Sequence, residues 1–131
     1  MKRDMDLVRE LLLRLENWQM EMGDVFVISP EDQGLAVPGY DSAQIEYHLS
    51  LLRSAGMIEC PGSQPMLGIT FSGLTWNGHD LIDSIGDPEI WKATKEGARK
   101  AGGFSVDLLG ALAKGLIKKQ IEKHTGIQLD L

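Results

Sequence analysis

Three histidines, one cysteine and a scatter of amide, hydroxyl and cationic groups are the residues whose chemistry has to be placed. His48, His79 and His124 are far apart and share no ligand spacing, and Cys60 has no second cysteine. Protein metal sites need several closely spaced donors, and neither HExxH nor CxxC occurs, so no metal ligand is assigned. His48 falls on the inward side of its helix and reads as a hydrogen-bonded core histidine. A GxSxG elbow, a glycine-rich phosphate loop ending in Lys-Ser/Thr and a carboxylate pair singled out by context are all lacking. The chain reads as a non-enzyme, with no catalytic residue and no cofactor.

What remains is the chemistry of recognition. In a helix from Ser42 to Ala55, Ala43, Gln44, Glu46, Tyr47, Ser50 and Arg53 face outward. The Gln44 amide suits an adenine edge and the Arg53 guanidinium a guanine or a phosphate, with Glu46, Tyr47 and Ser50 as further contacts. That face carries one cation and one anion, and Asp41 and Glu46 stand at the end that would meet phosphates. A solvated face is therefore an equal alternative. Lys92, Lys95, Arg99, Lys100, Lys114, Lys118, Lys119 and Lys123 are the phosphate-contact candidates, against the commoner reading of charge runs as solvated helix faces.

Composition sets the frame for both sets. The 131 residues suit one domain with an appended element, and 43% hydrophobic with 24% charged is ordinary globular usage. Net charge is −6 but uneven: residues 1–87 hold 5 Lys and Arg against 14 Asp and Glu, whereas residues 88–131 hold 8 against 5. Phosphate backbones are drawn to local positive field, so the second segment is the better suited to nucleic acid. No apolar run approaches the roughly 18 residues of a membrane span. Acids at Asp4, Asp6 and Glu10 argue against an export signal, and a lone cysteine fits a reducing cytoplasm. A cytoplasmic protein with no membrane association is expected.

Hydrophobic periodicity supplies the elements. Leu7, Val8, Leu11, Leu12, Leu15 and Trp18 form one helical stripe, predicting a helix from Asp4 to Met20 that stops before Gly23. Leu13 and Met20 lie one heptad apart on the other face, which reads as scattered surface hydrophobes or, as the lesser alternative, a second contact with the C-terminal segment or a twin subunit. Val25 to Ile28 predicts a strand, and residues 29–40, with two prolines and two glycines, are too broken for a good helix. Asp41 or Ser42 caps the next helix, with Ile45, His48, Leu49, Leu52 and Ala55 inward and Gly56 as its stop. Met57 to Cys60 and Met66 to Phe71 predict a hairpin around an uncharged tip, and Thr75 starts a helix to about Ile85 with Leu81, Ile82 and Ile85 inward. Asp87-Pro88 opens a helix that turns Ile90, Trp91, Thr94 and Ala98 inward and ends at Gly102-Gly103. The last helix, Ser105 to about His124, is apolar over half its wheel, which predicts burial against more than one neighbour or a second subunit.

The segments His48-Leu-Ser-Leu-Leu-Arg-Ser-Ala-Gly-Met-Ile-Glu59 and Leu74-Thr-Trp-Asn-Gly-His-Asp-Leu-Ile82 resemble winged-helix regulators, over about a third of the chain. The whole chain, through MKRDMDLVRELL, LTWNGHDLID and DPEIWKATKEGA, also resembles an uncharacterised family of small proteins from bacteria and their phages or prophages. The implied fold is α+β: a truncated winged-helix-like domain over 1–86 (helix, strand, helix, two-stranded wing, helix), then a C-terminal helical segment over 87–131. That segment has two helices and could serve oligomerisation. Truncated means that the helix normally preceding the recognition helix is missing. Two functions stay open: a regulatory winged-helix protein contacting nucleic acid as a homo-oligomer, or a protein–protein interaction module of phage or prophage origin that uses the scaffold without binding DNA.

Overall fold

The computed structural model describes residues 1–103 and 105–126, a mixed α+β arrangement that is mostly helical. It divides into two compact units, residues 1–80 and 81–131.

In the first unit, α1 (Met5–Glu16) is capped by Asp4, whose carboxylate accepts from the N–H groups of Asp6 and Leu7. Its stripe Leu7, Val8, Leu11, Leu12 and Leu15 is buried, each side chain contributing about 1.5–3 kcal/mol of transfer free energy. The helix ends four residues sooner than its periodicity predicts. Asn17 folds its amide back onto the Leu13 carbonyl at 2.9 Å, competing with the backbone for that acceptor. Trp18 thereby leaves the stripe and lies over Gly34, where an added Cβ would sit 2.8 Å from its ring.

β1 (Phe26–Ile28) follows, and residues 29–40 form only one 3₁₀ turn, Gln33–Leu35, held by buried Leu35 and Val37. α2 (Ser42–Ser54) has Asp41 as its cap in a full capping box with Gln44. Ile45, His48, Leu49 and Leu52 are buried, whereas Ala55 is an exposed C-cap residue and not part of the inner face. Gly56 ends the helix in the left-handed region, and Met57 returns its N–H to the Leu52 carbonyl at 2.9 Å.

The strand pairing departs from a simple hairpin. β2 (Ile58–Glu59) pairs antiparallel with β4 (Gly73–Leu74), while β3 (Ile69–Phe71) pairs antiparallel with β1. The stretch expected to be one wing strand is thus shared between two partners. A φ of 138° at Gly73 makes the turn between the two pairings. The loop over residues 60–68 is correspondingly longer. α1 packs against α2, β4 and the 3₁₀ turn, closing a core that also holds Ile28, Ile58 and Phe71.

α3 (Trp76–Ile85) starts where Thr75 accepts the Gly78 N–H on its hydroxyl. Leu81, Ile82 and Ile85 are buried. In the second unit α4 (Pro88–Ala101) is capped by Asp87 and α5 (Val106–Thr125) by Ser105, and the two helices pack together. Ile90, Trp91, Thr94 and Ala98 are buried. The broad apolar arc of α5 is only partly covered: Leu109 and Ala113 are buried, Leu112, Leu116 and Ile117 are half-buried, and Ile121 is 37% exposed. α4 has 14 residues and α5 has 20, so a helical hairpin cannot cover the full length of the longer arm. No helix among the described residues is long and apolar enough to cross a membrane.

Candidate interaction surfaces

The outward face of α2 is partly used for its own construction. Gln44 accepts the Asp41 N–H on Oε1 at 2.9 Å and donates its own N–H to Asp41 Oδ1 at 2.8 Å. One lone pair of its amide oxygen is therefore used and the side chain is folded back on its own cap, which opposes a bidentate adenine contact. Tyr47 is half-buried with its ring edge-on to His48, and Glu46, Ser50 and Arg53 are exposed.

The buried side of the same helix carries a network that sequence reading foresaw only as a satisfied His48. His48 Nδ1 donates to the Gln44 carbonyl at 2.8 Å, and Nε2 accepts the Asp4 N–H at 2.9 Å. Those two partners together select the neutral Nδ1–H tautomer. Tyr40 donates its hydroxyl to Asp4 Oδ2 at 2.8 Å. Burial first, and then the Asp4 carboxylate, push the Tyr40 phenol up to about 12. Every group in this relay is satisfied, so it clamps helices together and offers nothing to a substrate.

Cys60 is half-buried, and burial raises its thiol, with Arg53 as the opposing influence. A thiol held protonated is a poor nucleophile. Among the described residues no cluster of His, Cys, Asp and Glu has the geometry to hold a metal ion. An open groove of about 610 Å³ runs past Leu13, Arg14, Trp18 and Gly34. Arg14 is tied there to Glu10 and donates to the Ala36 carbonyl at 3.2 Å, so its cation is already engaged.

The loop over residues 60–68 is uncharged and braced by hydrogen bonds. Gln64 accepts the Thr70 N–H on Oε1 at 3.0 Å and donates to Thr70 Oγ1 at 2.9 Å, and Thr70 in turn donates to the Pro61 carbonyl at 2.7 Å. Beside it lies a surface that sequence reading missed. Val25 is 55% and Val27 60% exposed, Leu67 is 83% exposed, and Met22 and Met66 are fully exposed. Gly68 approaches the Ile28 carbonyl so closely that a Cβ would sit 2.5 Å from it and 3.2 Å from Val27 Cγ1, which brings the Met66–Leu67 loop against β1. The available signal was modest: four uncharged residues from Val25 to Ile28, and adjacent apolar residues in a loop. Alternation alone cannot tell which side of a short strand is left open. Trp76, 87% exposed at the start of α3, is a further exposed aromatic ring.

The phosphate-contact candidates lie on the second unit. Lys92, Arg99 and Lys100 of α4 and Lys114, Lys119 and Lys123 of α5 are exposed, and Lys118 is half-buried. Lys95 is half-buried with its ammonium 5.6 Å from the Trp91 ring centroid, a cation–π distance.

The sequence comparisons identify the lineage. Residues 2–105 match the family described as "Hypothetical protein (DUF2513)", and the chain belongs to that family. It is also similar to an uncharacterised protein of Haemophilus influenzae, 32% identical over 124 residues that span 92% of this chain and 99% of the relative. No solved structure gives a significant match.

Proposed function

We propose that this chain is a non-enzymatic winged-helix-type module whose contact surface suits a protein partner better than a nucleic-acid groove. The element order supports the scaffold reading, with α2 in the place of a recognition helix and residues 60–68 as the wing. The observation that carries the function is the exposed apolar surface formed by Val25, Val27, Met66 and Leu67 on a strongly acidic unit. Contiguous exposed apolar area beside polar surroundings marks interaction sites. The face that would enter a major groove presents Asp41 and Glu46, and its wing loop has no cation to meet a phosphate. The phage or prophage setting suggested by family resemblance fits a partner from host or phage. Site-specific photo-crosslinking from Leu67 in cells tests the reading. A discrete protein adduct, lost when Met66→Asp is added to a still-folded chain, is expected; an adduct profile no different from that obtained at exposed Ser54 would contradict it.

A second reading rests on the positive balance of residues 88–131 and the exposed cations of α4 and α5. It requires duplex DNA binding at low salt that falls steeply as salt rises and disappears on charge reversal of Lys95, Arg99, Lys118 and Lys119. Self-association through the uncovered end of α5 is compatible with either reading, and a cytoplasmic location with both.

A further inference from the structure

β1 is an edge strand, and the hydrogen bonds around it tell which of its backbone groups are open. Among the described residues β3 is its only strand partner. Val27 stands opposite Thr70, and Thr70 sends its N–H away from β1 to Gln64 Oε1 at 3.0 Å. In an antiparallel ladder, directly opposed residues either both point inward and exchange hydrogen bonds or both point outward. Phe26 and Ile28 therefore bond to Phe71 and Ile69, and the N–H and C=O of Val27 face outward. Continuing the register, Val25 falls opposite Ser72, whose N–H goes to the Glu59 carbonyl at 3.0 Å. Val25 shares the outward phase.

This edge has few of the devices that blunt such strands. It contains no lysine and no proline, and its outward side chains Val25 and Val27 are more than half exposed. Its shortness is the one blunting feature. Met66 and Leu67, brought close by Gly68, extend the apolar surface beside the open backbone groups.

The charges around it select the occupant. Asp24 turns back to the Glu21 N–H at one end of β1, and Asp32 turns back to the Ser29 N–H at the other, both at 2.9 Å. Glu21 and Glu31 lie in the same two turns. The five cations of residues 1–80 are Lys2, Arg3, Arg9, Arg14 and Arg53, all on or beside α1 and α2 in the chain. We infer that β1 accepts an extended segment of another protein as an added strand, with small or branched apolar residues at alternate positions and lysine or arginine at both ends. Main-chain hydrogen bonds at Val25 and Val27 supply the docking, the apolar face supplies area, and the acidic turns supply the preference for basic flanks. A second copy pairing edge to edge through its own β1 would bring like-charged turns together, which opposes it.

The inference rests on the protein-module reading, and its test is separable from it. The probe is a short synthetic peptide of alternating valine and threonine with two lysines at each end, titrated into the isotopically labelled full chain. Saturable NMR shifts centred on Val25 and Val27, with slowed hydrogen exchange at those two amides, are expected. A glutamate-flanked twin should bind about tenfold more weakly at low salt. Val27→Pro removes an outward N–H while leaving the Phe26 and Ile28 bonds in place, and should reduce affinity by about tenfold or more. Because that variant could also disturb folding, a lysine-flanked peptide N-methylated at every core residue, which has no open edge of donors, is titrated into the unaltered chain and should bind at least about tenfold more weakly than the unmethylated peptide. No saturable binding, shifts centred elsewhere, or indifference to N-methylation overturns the inference. Protection of Val25 and Val27 that grows with protein concentration, without peptide, assigns the edge to a second copy and overturns it too. A Leu67 adduct that forms normally while the peptide fails sinks the edge proposal and leaves the broader reading standing.

Discussion

His48 Nε2 receives the backbone N–H of Asp4 at 2.9 Å, a bond that spans 44 residues and ties the start of α1 to the middle of α2. The same ring donates to the Gln44 carbonyl at 2.8 Å. His48→Ala leaves a buried cavity and an orphaned N–H at the α1 cap, so a loss of about 2–4 kcal/mol is expected. Urea unfolding followed by circular dichroism measures it. His48→Gln should recover part of the loss, since its amide can supply one donor and one acceptor. Equal losses in the two variants would mean that the glutamine amide reaches neither partner and that the geometry of the imidazole itself is required.

Tyr40 makes the same clamp pH-dependent. Its phenol is pushed up to about 12 by burial and by Asp4, against an ordinary value of 10. The folded state thus holds that proton more tightly than the unfolded chain does. The resulting stability is fully present below pH 10 and is lost as pH rises from 10 through 12. Ultraviolet titration of the two tyrosines should show one phenolate forming only near pH 12, and Tyr40→Phe should remove that late transition. If Tyr40→Phe left it untouched, the assignment of the late transition to Tyr40 would fail.

Gly78 and Gly115 predict opposite signs for the same substitution. A Cβ at Gly78 would lie 2.1 Å from the Met57 carbonyl oxygen, so α3 can approach that backbone only without a side chain. Gly78→Ala should cost at least about 3 kcal/mol or prevent folding, because backbone must move. Gly115 is an exposed interior position of α5 with nothing within 4 Å, and Gly115→Ala should stabilise by about 0.5–1 kcal/mol. Thermal denaturation of the pair, monitored at both helix and aromatic signals, decides between them.

These sites show what the sequence could and could not reveal. Helix existence and most caps and inward residues were legible because they are local: Asp87-Pro88 and the Leu7–Leu15 stripe act within one or two turns, and the cap of α2 was narrowed to Asp41 or Ser42, although its capping box with Gln44 was not read. The early end of α1 was not legible, because the Asn17 side chain and the seating of Trp18 over Gly34, 16 residues further on, decide it. The division of residues 69–74 between two partner strands was hidden for the same reason, as pairing is chosen by long-range packing and not by alternation. Of the candidate contacts, Gln44 turned out to be tied into its cap, whereas the open edge at Val25 and Val27 depends on a side-chain bond between Gln64 and Thr70 that no spacing rule encodes.

The uncovered end of α5 carries a prediction about assembly. Leu116 and Ile117 are half-buried, and Ile121, near its C-terminal end, is 37% exposed. A self-association that buries this stripe should appear as a concentration-dependent rise in sedimentation coefficient. Ile121→Glu should reverse it at a cost to unfolding free energy of no more than about 1 kcal/mol, because the side chain is 37% exposed at the helix end and a carboxylate there can reach water. A chain that sediments as a monomer across that range would assign the arc of α5 to its own hairpin alone.

Met66 and Leu67 separate function from fold most cleanly. Both are almost wholly exposed, so folding removes little of their surface from water, and the hydrophobic stabilisation they contribute is small. The double substitution Met66→Ser and Leu67→Ser should therefore change unfolding free energy by less than about 0.5 kcal/mol. The neighbouring Gln64–Thr70 bonds, which order the loop, do not involve either side chain. If the exposed apolar surface serves a partner, crosslinking from Val27, which the loop approaches at Gly68, should fall by about tenfold, as expected for loss of apolar anchors at the centre of a contact. A stable double variant with an undiminished adduct would remove this loop from the contact, and a destabilised one would mean that Met66 or Leu67 is packed and not presented. Measuring stability and crosslinking on the same preparation keeps those two outcomes apart.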